Sequence, residues 1–161
     1  MRTALIALVV SAFVLPMTAQ ADNAVSEEGV KDAITRQLNH YQAALNTSDL
    51  DRVMSLYAGD AVFMPQHSPP AVGRDAVRRA YRRVFDTIRL DVRFTVDEIK
   101  PLSRDWAFAR TRSNGTLKRL SGDQQAHAEG NQEIFLLHRE GDGQWRFARY
   151  IFSTTNPPDM P

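Results

Sequence analysis

Apolar positions recur at helical spacing in three stretches of the first half of the chain. In residues 30–46 the steps between them are four, four, three and four, at Val30, Ile34, Leu38, Tyr41 and Leu45. This spacing predicts a helix with one buried face. The capping-box-like pair Ser48 and Asp51 predicts the start of a second helix, which Gly59 ends. Gly73 opens a third stretch of helical spacing, which continues to Ile88.

The period of the pattern changes from 3.6 to two near residue 90. Apolar and polar residues alternate over 90–98, and Pro101 closes this predicted strand. Three more strands are predicted at about 106–119, 124–139 and 144–154, separated by Ser121-Gly122 and Gly141-Asp142-Gly143. A short strand is predicted at 61–64. Helices followed by an antiparallel meander predict an α+β fold, in which a curved sheet covers the apolar helix faces.

The first 21 residues have the layout of a secretory signal peptide. Arg2 precedes an apolar run over 4–15, and Ala19 and Ala21 stand before Asp22. The run is shorter than the roughly 20 residues that a membrane-spanning helix needs. We therefore expect cleavage after Ala21, export to the periplasm or the medium, and no stable membrane association. One domain is then expected over 22–156, with a tail at 157–161.

Composition restricts the chemistry that the chain can perform. Its 161 residues contain no Cys, and 20 Lys and Arg stand against 19 Asp and Glu, for a formal charge of +1. Disulfides, thiolate nucleophiles and Cys-ligated zinc are therefore excluded, and no overall positive field favours nucleic acid as a partner. The four His have no H-E-x-x-H spacing. We expect neither a metal site nor a cofactor.

Two segments carry a family resemblance. The first spans residues 45–77 and includes Asp60-Ala61-Val62-Phe63 and Pro69-Pro70-Ala71-Val72-Gly73. The second is the run Gly143-Gln144-Trp145-Arg146-Phe147-Ala148-Arg149-Tyr150-Ile151-Phe152-Ser153. The first resembles the SnoaL-like, nuclear transport factor 2-like superfamily, and the second is similar to the last strand of its SgcJ/EcaC-type branch.

That resemblance implies a cone-shaped α+β roll, with N-terminal helices packed in the concavity of a curved antiparallel sheet. It also implies a pocket for a small molecule and commonly a homodimer. It does not imply one reaction, because the superfamily includes ketosteroid isomerases, dehydratases, cyclases and non-catalytic binding domains.

The ketosteroid isomerases of this superfamily give three positions a possible role. Their first helix carries a Tyr that donates a hydrogen bond to the substrate oxygen, and Tyr41 holds that place. Their general base is an Asp directly before a loop Pro. Here Met64 holds that position, and its thioether cannot accept the proton. Glu133 lies near their acidic donor on a late strand. Because the base is missing, steroid isomerase activity itself is not expected.

A pocket is also predicted from the strands alone. If Ser121-Gly122 is a two-residue turn, Arg110 lies opposite Glu133 and Arg112 opposite Asn131 on one face. The further ligand contacts expected there, or near the pocket loop, are Tyr150, Trp106, Phe108, Phe135 and Met64. Small residues on the other face would let a second subunit approach, at Ala107, Ala109, Ala126, Ala128 and Gly130. A turn one residue longer would exchange the two faces.

Each catalytic candidate has a second interpretation. Tyr41 is either a hydrogen-bond donor or a core tyrosine, and Arg110 with Glu133 is either a functional pair or a structural ion pair. His67, in a Pro-rich loop, is either solvated or an acid, base or ligand at a pocket mouth.

Two functions follow from these residues. The first is an exported module that binds a small, largely apolar, oxygenated molecule. The alternative is a cofactor-independent acid/base enzyme of isomerase, dehydratase or cyclase type. In that enzyme Tyr41 would donate a hydrogen bond, and Glu133 or His67 would move a proton.

Overall fold

Three helices lie against one curved sheet in the computed structural model, which describes residues 26–157. The predicted signal peptide and the end of the predicted tail lie outside the described residues. The elements in chain order are α1 (Glu27–Asn46), α2 (Leu50–Ser55), β1 (Tyr57–Met64), β2 (Ala71–Val72), α3 (Arg74–Thr87), β3 (Ile88–Pro101), β4 (Trp106–Arg119), β5 (Ala126–Arg139) and β6 (Trp145–Thr154). Within residues 26–157, no helix has the length and apolar character needed to cross a bilayer.

The six strands are ordered β2-β1-β6-β5-β4-β3 in a single sheet. Strands β3 to β6 form the predicted antiparallel meander. The first strand joins it differently, because β1 pairs with β6 in parallel. The sheet is therefore mixed, and the predicted α+β roll of helices in a concave sheet is confirmed.

Helix α1 follows the predicted pattern, whereas α2 begins and ends elsewhere. The apolar positions predicted for α1 are all buried. At α2 the N-cap is Asp49, whose Oδ1 accepts a hydrogen bond from the Arg52 amide at 3.0 Å. The predicted cap, Ser48, instead has a left-handed φ of 53°. The helix stops at Ser55, and β1 has already begun before Gly59.

Two amide side chains of α1 bind the free edge of β3. Asn46 donates from Nδ2 to the carbonyl of Val92 and accepts from the amide of Val92, both at 2.9 Å. Gln42 Oε1 accepts from the amide of Phe94 at 2.8 Å. Because β3 is the last strand of the sheet, the backbone groups of Val92 and Phe94 would otherwise lie on an open edge without partners. The bonds hold the end of the sheet against α1 and so curve it around the helix.

The register between β4 and β5 differs by one residue from the register predicted. The connection is six residues long, 120–125, rather than a two-residue turn. Thr111 is therefore opposite Glu133, and Arg110 is opposite Ile134. On the β6 side, Tyr150 is opposite Phe135, and Phe152 is opposite Glu133. The faces of β4 are exchanged, as a longer turn requires.

This exchange changes which side chains face the helices. Ala107 and Ala109 are fully buried on the concave face. They are therefore not available to a second subunit, contrary to the prediction. Arg110 and Arg112 lie on the opposite, outer face and are exposed.

Candidate functional site

A cavity of about 240 Å³ lies between α1, α3 and the concave face of the sheet. Aromatic side chains form much of its wall: Tyr41, Phe63, Tyr81, Phe94, Tyr150 and Phe152. A few polar side chains also line it: Gln66, Ser113, Glu129, Asn131 and Glu133. The volume is below the roughly 300 Å³ at which pockets for drug-sized ligands begin. An apolar wall with a few polar groups suits a small molecule.

Three tyrosine hydroxyls form a buried chain beside the cavity. The Tyr81 hydroxyl is 2.5 Å from the Tyr41 hydroxyl and 2.7 Å from the Tyr57 hydroxyl. Burial raises the pKa of all three phenols, so they stay protonated at neutral pH. Three hydroxyls carry three protons, and two hydrogen bonds use two of them. When the chain donates toward its Tyr41 end, the O–H group of Tyr41 can donate a hydrogen bond to an oxygen in the cavity.

Glu133 is the most buried carboxyl of this wall, at 3% exposure. Two hydroxyls of the neighbouring strand β4 donate to it: Ser113 to Oε1 at 2.5 Å, and Thr111 to Oε2. Burial raises the pKa of the Glu133 carboxyl, and the two donated hydrogen bonds oppose that rise. The group is thus held in one orientation and can exchange a proton closer to neutrality than an ordinary carboxyl.

Asn131 has one polar atom without a partner. Its Nδ2 donates to Glu129 Oε1 at 2.9 Å and, more weakly, to Ser113 Oγ at 3.4 Å. Its Oδ1 is buried and accepts no hydrogen bond from any of residues 26–157. Buried acceptors in proteins are nearly always paired. An unpaired one in a cavity wall therefore indicates a place for a donor on a ligand.

The aromatic part of the wall is ordered by ring packing. Phe63 of β1 is stacked between Tyr81, with ring centres 4.9 Å apart, and Tyr150, at 5.4 Å. Phe135 stacks on the far side of Tyr150, at 4.2 Å. Each ring fixes the next, so the apolar surface offered to a ligand is preformed.

A family model for the SnoaL-like domain matches residues 38–156 of the chain. The chain belongs to the SnoaL-like family. A ketosteroid isomerase-like protein from Erwinia carotovora atroseptica SCRI1043 is 32% identical, with a TM-score of 0.75 over 78% of this chain and 96% of that one. The assignment to the SgcJ/EcaC-type branch stays a prediction.

More distant structures share the fold alone. An NTF-2-like protein from Shewanella oneidensis MR-1 is 24% identical, with a TM-score of 0.60, covering 77% of this chain and 98% of that chain. A type 3 hexachlorocyclohexane dehydrochlorinase from Novosphingobium barchaimii LL02 is 13% identical, with a TM-score of 0.69, covering 80% and 88%. No curated protein matches the chain.

The cavity of this SnoaL-like domain brings together four of the predicted site residues. Tyr41, Asn131, Glu133 and Tyr150 all line it. Phe135 lies behind them, fully buried, and supports Tyr150 by stacking. Tyr41 is both a core tyrosine and a cavity hydroxyl, so its two interpretations are compatible.

The predicted arginines are on the other side of the sheet. Arg112 binds Asp97 through two nitrogens, at 2.9 and 3.1 Å, and Arg110 Nη1 is 3.1 Å from Asp97 Oδ2. The predicted Arg110 and Glu133 pair is therefore wrong, because the one-residue shift in register puts the two side chains on opposite faces. Hydrogen bonds from Arg112 hold the pKa of Asp97 below its ordinary range.

Four other predicted residues are also outside the cavity wall. Trp106 and Phe108 share the outer face of β4 with the arginines, and Trp106 packs on His138. Met64 follows the inward-facing Phe63 and so points outward, where it pairs with the exposed Ile151. His67 is an exposed loop residue with a left-handed φ of 56°, which favours its solvated interpretation.

Several wall residues were not predicted as site residues. Phe63, Phe94 and Tyr81 are apolar positions of their elements, and nothing in the periodicity separates a cavity wall from a filled core. Ser113 would have been found with the correct register, because it alternates with the outward-facing positions of β4. Glu129 lies on the same face of β5 as the predicted Asn131 and Glu133.

No group of three or more acidic or His side chains among residues 26–157 is arranged to hold a metal ion. Arg79 and Arg83 of α3 line a separate surface groove that shares Phe63, Val84 and Ile88 with the cavity. Basic side chains thus lie near the cavity but not in its wall.

The pKa of Glu133 predicts how stability depends on pH. Its pKa is higher in the folded than in the unfolded chain. Burial of the charged form therefore lowers the free energy of unfolding as pH rises above about 4.5. Below that range both states are protonated and the cost is absent. We expect Glu133→Gln to gain in free energy of unfolding relative to wild type between pH 4 and pH 8, measured by urea denaturation. Thr116→Ala, which does not titrate, should differ from wild type by a constant amount. A constant difference for Glu133→Gln as well would contradict the prediction.

Proposed function

We propose that this chain binds a small, largely apolar, oxygenated molecule in the cavity between α1, α3 and the sheet. The proposal rests on one observation: a preformed aromatic wall, Tyr41 with its hydroxyl, and Asn131 with its unpaired Oδ1 all belong to the same cavity. The ligand's ring or chain would pack among the aromatic side chains. Its oxygen would accept from Tyr41, whose raised pKa keeps it a donor.

A substitution that fills the cavity tests this proposal. Val84 lines the cavity from α3, whereas Arg82 of the same helix is exposed. In a screen of small phenols, cyclic ketones and aromatic alcohols by ligand-observed NMR, wild type should give saturable binders. We expect Val84→Trp to weaken them by at least about tenfold, or about 1.4 kcal/mol, and Arg82→Trp to leave them unchanged. Equal binding by the two variants would contradict a site in the cavity.

The alternative is catalysis in the same cavity. The buried Glu133, oriented by two hydroxyls and with a raised pKa, has the properties of an acid or base that works near neutrality. Met64 in the place of the family's base argues against steroid isomerisation. For a neutral compound that turns over, Glu133→Gln should lose turnover and keep affinity if Glu133 moves the proton. An unchanged rate would exclude that role.

We also propose that two copies associate through the outer face of the sheet. Proteins of this fold often form dimers. Ile134 and Ile151 are neighbours on that face and are 44% and 45% exposed. The exposed arginines Arg110 and Arg112 and the acidic Asp97 lie beside them. A two-fold interface can pair such apolar and charged groups with the same groups of the second copy.

Disruption of this apolar pair tests the dimer. We expect Ile134→Lys to convert the protein from dimer to monomer at micromolar concentration in sedimentation equilibrium, because two buried cations would face each other across the axis. Asn39→Lys, on the exposed side of α1, should remain dimeric. A monomeric wild type, or a dimeric Ile134→Lys, would contradict the proposal.

Export through the signal peptide remains our proposal for localisation. It rests on the layout of residues 1–21. After expression in a Gram-negative host, intact mass and N-terminal sequencing of the periplasmic fraction should show a chain that begins at Asp22. Ala19→Gln together with Ala21→Gln should block this cleavage. A full-length chain in the cytoplasm of the wild-type strain would contradict export.

A further inference from the structure

The polar end of the cavity is built from hydrogen-bond acceptors. Asn131 is 91% buried, since 9% of its surface is exposed, and its Oδ1 has no partner among residues 26–157. The orientation of the amide is fixed, because Nδ2 donates to Glu129 Oε1 at 2.9 Å. Turning the amide over would put its oxygen against that carboxylate. The free atom is therefore an acceptor, and it can bind a donor group of a ligand.

The same end of the cavity carries acidic side chains. Glu129 and Glu133 line it together with Asn131, and no Lys, Arg or His among residues 26–157 lines the cavity. Arg79 and Arg83 of α3 line the separate groove, and Arg110 and Arg112 of β4 bind Asp97 on the outer face. Glu133 is satisfied by the hydroxyls of Thr111 and Ser113, but those neutral donors leave its charge uncompensated.

We propose that the ligand carries a protonated amine, whose N–H groups bind Asn131 Oδ1 and whose charge is balanced by Glu129 and Glu133. This inference rests on the proposed function and names the ligand class. The amine occupies the acidic end, and the oxygen already assigned to the ligand accepts from Tyr41. A carboxylate in the same place would be repelled, and a quaternary ammonium would supply the charge but no N–H for Asn131.

Four probes with one phenol ring separate these possibilities. Tyramine ends in a primary amine, tyrosol in a hydroxyl, 4-hydroxyphenylacetate in a carboxylate, and N,N,N-trimethyltyramine in a quaternary ammonium. In calorimetric titrations at pH 7 we expect tyramine to bind at least about tenfold more tightly than tyrosol, since a charged donor bonds a buried acceptor more strongly. The trimethyl compound should be weaker than tyramine, and the acid should not saturate.

Two glutamine variants locate the effect. Glu129→Gln, in the cavity wall, should lower the affinity for tyramine several-fold and leave that for tyrosol unchanged. Glu98 is an exposed residue of β3 and does not line the cavity. Glu98→Gln should therefore change the affinity for neither compound. The circular dichroism melting curves of both variants report whether they fold.

The outcomes separate the inference from the function on which it rests. Tyrosol binding as tightly as tyramine, or tyramine affinity untouched by Glu129→Gln, overturns the amine and leaves the cavity site standing. If the screen of neutral compounds yields binders but none of the four probes binds, the amine is again overturned and the cavity site stands. Absence of binders in both experiments overturns the amine and the proposed function together.

Discussion

The fold depends on the contact between α1 and the free edge of β3. Most of the sheet is an antiparallel meander, which by itself would be an open, twisted surface. Asn46 and Gln42 bind the backbone of Val92 and Phe94, and this attaches the last strand to the helix that fills the concavity. The cavity exists because the sheet is held curved there, with α3 and the paired strands β1 and β6 on the other side.

Tyr41 and Glu133, at the two ends of the cavity, are hydrogen-bonded to hydroxyls rather than to charged side chains. The buried tyrosines keep their protons, because burial raises each pKa. Glu133 is held by Ser and Thr hydroxyls, since the nearby Arg110 and Arg112 face outward and bind Asp97. A guanidinium in contact would keep the carboxyl ionised at all moderate pH values. The absence of such a contact among residues 26–157 is what leaves Glu133 able to titrate.

Much of the fold could be predicted from the sequence, because the hydrophobic period of each element is strong. The bounds of α1 and of the four long strands were predicted to within three residues of those observed. The parallel pairing of β1 with β6 was not predicted, because the local sequence of neither strand indicates a partner so distant in the chain.

The cavity wall was harder to predict than the elements. Tyr41, Asn131, Glu133 and Tyr150 were identified, but Arg110, Arg112, Trp106 and Phe108 were assigned to the wrong face. The cause is one residue in the connection after β4: the period of a strand is two, so a one-residue shift reverses every side chain.

The two hydroxyls on Glu133 have a consequence for how fast the site can change its charge. A hydroxyl group can donate or accept a hydrogen bond by rotating its hydrogen atom alone. When Glu133 takes up a proton on one oxygen, the hydroxyl at that oxygen can turn and accept the new hydrogen bond, while the other hydroxyl goes on donating and every heavy atom stays in place. The wall therefore passes between its neutral and charged forms with little reorganisation energy, which makes it a preorganised environment for moving a proton.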